Sequence, residues 1–190
     1  MREFDAERLG NYEADAWVAY YRRRWFAFLV AALGLVREGF GLSWLRAVGR
    51  AWLVLRANQV WAPDPDNDPD KARAYMRRFY VDVSRINKET FDVDEAARLE
   101  VEWWRVHRYL QRESPDGAVT PLTDALAALY AHVYDVPVAS VRGAAAHRAE
   151  AMRISDRWVE DGCDPTSDAV ATEREELIEG YRVLRAAVAK

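Results

Sequence analysis

The chain has 190 residues, a formal net charge of −4, 51% hydrophobic residues and one cysteine. That length allows a sizeable core, and the apolar content excludes global disorder. A lone cysteine excludes an intrachain disulfide and fits a reducing compartment. The acidic start, Met1-Arg-Glu-Phe-Asp5, excludes a secretory signal, so the expected location is cytoplasmic.

Helical periodicity runs along the whole sequence, with no two-residue alternation long enough for a sheet. The expected fold is all-α, an irregular helical bundle of about six or seven helices. It forms a single domain over residues 1–190, with a loop at 62–70 separating two halves of the bundle.

The first helix is expected over about Asn11–Glu38, with Trp17, Tyr21, Phe28, Ala32 and Leu35 as its stripe. Between Trp25 and Val36 it is apolar all round, which predicts burial on several sides and a place at the centre of the fold. The second, about Leu42–Val60, carries Leu45, Val48, Trp52 and Leu55 on one face and Arg46 and Arg50 opposite.

Residues 17–62 hold five of the eight tryptophans. Seven arginines against one acid, Glu38, give this stretch +6, so with −4 overall the rest of the chain carries −10. Such a basic, aromatic hairpin is either a core layer or a contact surface. Trp44, Arg46, Arg50, Trp52 and Trp61 are its interface candidates, for a second copy, a protein partner or a membrane surface. Spanning a bilayer is not expected. The unbroken apolar run Trp25–Val36 would extend about 18 Å against a hydrocarbon core of about 30 Å. Extending it back to Trp17 takes in Arg22, Arg23 and Arg24, at a cost of about 7–10 kcal/mol.

The prolines of Ala62–Asp70 break the helix. Asp68-Pro69-Asp70 then reads as a cap, a first-turn proline and a dipole-favoured acid for a third helix reaching about Lys88. Asp64, Asp66 and Asp68 imitate the start of a calcium loop. Pro69 stands where that loop needs glycine and Tyr75 where it needs glutamate, so a solvated loop is expected. The fourth helix, about Val93–Arg112, has the stripe Val93, Ala96, Leu99, Trp103, Val106 and Leu110. Ser114-Pro-Asp-Gly117 ends it, and Thr120-Pro121 starts the fifth. The sixth covers about Pro137–Asp161, with Gly162 past its end, and the seventh about Ser167–Val188.

Three helices carry one histidine each. His107 shares a helix side with Glu100, Trp103 and Trp104, and His147 lies on an otherwise apolar line that points it inward. His132 flanks the apolar face of the fifth helix. Glu100, His107, His147 and Glu150 could assemble a metal site in a bundle core, although the Glu-x-x-His pattern of di-iron bundles is absent. Trp103, Trp104, His107 and His147 are the candidates for holding a ligand. The alternative is that the histidines sit at core edges, bonded to backbone or carboxylate groups.

Other chemistry lacks its motif. Gly34 to Gly39 is not followed by the lysine of a phosphate loop, and Ser43 lacks the flanking glycines of a nucleophile elbow. Cys163 sits at a helix end beside Asp164, which does not activate a thiol. The negative charge argues against nucleic acid as a partner, and no motif names a cofactor or a catalytic residue. The expected function is a non-enzymatic interaction or apolar-ligand-binding module. The alternatives are a metal- or cofactor-dependent oxidoreductase with a His/carboxylate site in the bundle core, and a peripheral membrane protein docked through residues 17–62.

Overall fold

The computed structural model describes residues 1–114 and 117–189. Pro115 and Asp116 of the expected Ser114–Gly117 helix stop lie outside these. The described residues form eight helices and no strand: α1 (Ala6–Tyr21), α2 (Trp25–Phe40), α3 (Trp44–Trp61), α4 (Pro69–Asn87), α5 (Val93–Glu113), α6 (Thr120–Tyr134), α7 (Val138–Glu160) and α8 (Asp168–Val188).

The extra helix comes from the expected first one, which is broken at Arg22-Arg23-Arg24. Arg23 takes a left-handed conformation with φ 56°, and the Arg24 N–H bonds back to the Ala19 carbonyl at 2.8 Å. The Arg23 guanidinium lies 5.5 Å from the Tyr20 ring centre and 5.8 Å from that of Trp25, which favours the turn. The break lets α2 fold back onto α1.

The other boundaries follow local chemistry. The carboxylates of Asp5, Asp68 and Asp92 accept first-turn N–H bonds of α1, α4 and α5, and the Ser167 hydroxyl does the same for α8. Gly41 and Gly162 carry the positive φ that ends α2 and follows α7.

Each helix packs against the next in sequence, and α8 returns against α1, so the eight close into a ring. At the closing seam Gly10 lies directly under Ile178, where a Cβ would sit 2.5 Å from the isoleucine side chain. Across the ring, α5 also touches α7.

The ends of the ring differ. The N-terminal segment closes one of them. Its Arg2 donates to the carbonyls of Tyr134 and Val188, at the ends of α6 and α8, and its amino group donates to Asn87 at the end of α4. At the other end the C-termini of α1, α3, α5 and α7 converge. There Arg23 reaches the Ala62 carbonyl, Arg108 the Trp61 carbonyl, and Gln111 the Asp156 carboxylate.

Two expectations about the hairpin are corrected. The segment Trp25–Val36 is not central: α2 is a wall of the ring, with Phe26 82% and Val30 55% exposed. In α3 the inward stripe is Ala47, Ala51, Leu55 and Trp61, while Leu45, Val48 and Trp52 face outward. The alanines win the inner side because they let α2 and α4 approach closely. No single helix among the described residues is long and apolar enough to cross a membrane. Helices α2 and α3 reach that measure only when joined across a bend of 119°.

Candidate functional site

The ring encloses a cavity of about 630 Å³, and all eight helices contribute side chains to its wall. The volume lies in the range of roughly 300–1,000 Å³ usual for small-molecule sites. Most of the wall is aromatic or aliphatic, including Tyr20, Phe28, Trp61, Phe79, Trp103 and Trp104. Its exposed lining residues, Arg23, Asp64, Arg112 and Glu160, all belong to the end where the odd-numbered helices finish, which makes that end the mouth. The loop expected to be merely solvated has a task there: Asp64 forms ion pairs with Arg108 and Arg112 of α5.

Three polar groups interrupt the wall. The first is centred on Arg148 of α7. Its Nε donates to Glu13 of α1 at 2.8 Å, its Nη1 to the Tyr130 hydroxyl of α6 at 3.3 Å, and its guanidinium lies 4.9 Å from the Trp103 ring centre. The Tyr181 hydroxyl of α8 donates to the other Glu13 oxygen at 2.5 Å. Burial opposes the Arg148 charge. The facing Glu13, with Tyr130 and Tyr181, outweighs that and holds its pKa well above the usual arginine value.

The second group joins His107, Gln111 and Tyr21 around Asp156. His107 Nε2 lies 3.0 Å from both carboxylate oxygens, and the amide of Gln111 donates to one of them at 2.8 Å. The Tyr21 hydroxyl donates more weakly at 3.4 Å. Burial, then the charge of Asp156, pushes the Tyr21 pKa well up.

The third is Glu100 of α5, which accepts a hydrogen bond from the Tyr80 hydroxyl at 2.6 Å. Among the described residues it makes no ion pair. Burial raises its pKa above the ordinary carboxyl value, and the Tyr80 bond and Arg148 oppose that rise.

Of the residues expected to hold a ligand, Trp103, Trp104 and His107 line this cavity and His147 does not. His147 sits in the α7–α8 seam, with Nδ1 2.8 Å from Glu176. Of the expected metal set, Glu100 and His107 share the cavity wall, while Glu150 is tied to Arg153 on its own helix. The helical spacing that aligned these residues did not fix which way each helix faces the ring. No group of three or more His, Cys, Asp or Glu side chains among the described residues is placed to hold a metal ion. His132 bonds the Asp92 carbonyl at 2.8 Å, so all three histidines rest on backbone or carboxylate groups.

The hairpin candidates divide. Trp61 is buried in the cavity wall, 5.8 Å from Trp104 and under the Arg108 guanidinium at 4.2 Å. Arg50 pairs with Asp82 of α4 at 2.8 Å. Trp44, Arg46 and Trp52 are exposed.

The sequence reading missed Glu13, Tyr80, Tyr130, Arg148, Asp156 and Tyr181. A signal existed for two of them: Glu13 shares a helical face with Leu9 and Ala16, and Arg148 with Ala144, Ala145 and Met152. A single charge on such a small or apolar stripe marks a buried polar group. Compared with known protein families, with curated proteins and with solved structures, the chain has no significant match.

Proposed function

We propose that the chain binds a small organic molecule inside the helical ring. The carrying observation is the cavity itself: about 630 Å³, ring-walled, with one mouth and a few convergent polar groups. An aromatic wall supplies area for a flat or apolar body, and the polar groups supply orientation. Titration with the neutral dye Nile red tests this. One-to-one binding is expected in the native protein, and loss of it in an Ala16→Trp/Leu129→Trp variant with unchanged circular dichroism. Binding that survives the filled cavity would overturn the reading. Native mass spectrometry of protein from its own host would weigh the resident molecule directly.

A second reading concerns the outer face of α2 and α3. Six of the eight exposed large apolar side chains among the described residues lie here: Phe26, Val30, Trp44, Leu45, Val48 and Trp52. Such clustering marks a docking face. The stretch carries +6, so a second copy would set like charges together, whereas an anionic lipid surface complements it. Exposed Arg24 and Arg46 make no ion pair among the described residues. Flotation with vesicles containing phosphatidylserine at low salt is expected, and not with purely zwitterionic vesicles. Failure to float, with a dimer seen by light scattering, would assign the face to a second copy instead.

A further inference from the structure

We infer that the molecule held in the cavity is an organic cation, an amine or quaternary ammonium group on an apolar body, seated at Glu100. This rests on the cavity being a binding site. Three observations carry it.

The first is the charge pairing of the wall. Glu13 is matched by Arg148 and Asp64 by Arg108 and Arg112, while Asp156 is hydrogen-bonded by His107 and Gln111. Apart from Glu160, which is exposed at the mouth, Glu100 is the cavity carboxyl that makes no ion pair among the described residues, and it accepts the 2.6 Å bond from the Tyr80 hydroxyl. A carboxylate removed from water is costly unless a cation faces it, and among the described residues none is in contact with Glu100, Arg148 acting on it only from a distance.

The second is the company Glu100 keeps. Trp103 and Trp104 follow it on the same helix and line the same cavity, and Tyr80 lies across from it on α4. Aromatic rings gathered near one acid suit the recognition of alkylated ammonium groups. Arg148 already uses this device inside the molecule, resting over Trp103 at 4.9 Å.

The third is what the cavity withholds from an anion. Arg148 spends its Nε and Nη2 on Glu13 and its Nη1 on Tyr130, so it offers a bound carboxylate or phosphate little.

The test compares two probes of nearly equal shape, benzyltrimethylammonium and its uncharged carbon isostere, neopentylbenzene. Calorimetry on the native protein is expected to show the cation binding about tenfold or more tightly. In a Glu100→Gln variant that preference should vanish while neopentylbenzene binds as before. Equal affinity of the two probes for the native protein would overturn the cation assignment and leave the cavity reading standing. Binding of neither probe would overturn both. If Glu100→Gln does not fold, the native comparison of the two probes decides alone, and Tyr80→Phe serves as the second variant. In Tyr80→Phe the cation's advantage is expected to persist, because the carboxylate remains. Its disappearance there would shift the recognition from Glu100 to the Tyr80 hydroxyl and overturn the assignment.

Discussion

Helices α2 and α3 wall the same cavity as α1 and α5–α8, but they are built on a different plan. The inner wall of α2–α3 is apolar apart from Asn58, and its outer face is largely apolar too. The other wall reverses this. It turns Glu13, Glu100, His107, Arg148 and Asp156 toward the cavity, and charge pairs such as Glu95–Arg98, Glu102–Arg105 and Glu179–Arg182 toward solvent. One side of the ring is held mainly by packing, with the ion pairs Arg50–Asp82 and Arg8–Glu38 outside the cavity, the other by packing around a buried electrostatic network. The sides should therefore respond differently to substitution and to pH.

The largest difference is expected at Arg148. Arg148→Met leaves the Glu13 carboxylate buried without its cation and should destabilise the fold by about 3–5 kcal/mol. Replacing both partners, as Glu13→Gln/Arg148→Met, should recover part of that. Urea unfolding of the two variants checks this, and a single variant no worse than the double would remove the network from the account.

Next comes Glu173, a fully buried residue of α8 whose two carboxyl oxygens have no hydrogen-bond partner among the described residues. The neighbouring Ser155 hydroxyl is likewise unpaired. Burial, then the charge of Glu13, pushes its pKa from 4.5 up to about 8. Between those pH values the folded state holds a proton that the unfolded chain has lost, so this group's contribution makes stability fall as pH rises and levels off above about 8. Glu173→Gln should be near neutral at pH 4 and stabilising by up to about 4 kcal/mol at pH 9. A variant whose advantage is the same at both pH values would show that Glu173 does not titrate this way.

A smaller loss is expected at the seam that closes the ring. In Gly10→Ala the new methyl would meet Ile178 at 2.5 Å, close to its backbone as well as its side chain. The clash should exceed the gain in helix propensity and cost about 1–3 kcal/mol, read from the thermal midpoint. The smallest effect belongs to the packed side of the comparison. Leu45→Ser on the outer face of α3, where Leu45 is 91% exposed, should change stability by no more than about 0.5 kcal/mol. A large loss there would mean that the face is covered in solution.

The same contrast explains what was legible in the sequence. Helices α4 to α8 were expected within a few residues of their observed bounds, because caps, prolines and glycines punctuate them and a single apolar stripe orients most of them. In α3 two stripes share the helical period, Leu45-Val48-Trp52 and Ala47-Ala51-Leu55, and apolarity alone favours the wrong one. Alanine was chosen for the inside by the closeness of α2 and α4, which a local pattern does not record. The break at Arg22–Arg24 was hidden for a related reason: three good helix formers are turned by contacts with Tyr20 and Trp25 rather than by their own preferences. Trp103, Trp104 and His107 were visible as neighbours on one helix side. The group around Arg148 was not, because Glu13 lies 135 residues away from it and meets it only when α8 closes the ring onto α1.

That group has a consequence for how the site can diverge among related sequences. Arg148 joins α7 to α1, α5 and α6 in contacts that also form part of the cavity wall, and Glu13 extends the same network to α8 through Tyr181. Change at either charged residue is therefore exposed to selection for folding before it is exposed to selection for ligand. Drift in what the cavity accepts is channelled to wall positions that tie no helices together by polar bonds, such as Leu129, Val133, Met152 and Leu184. On the proposed reading of the cavity as a binding site, relatives of this chain should keep the charged pair and vary those four, so that any ligands would differ in the shape of the apolar body sooner than in the group proposed to sit at Glu100.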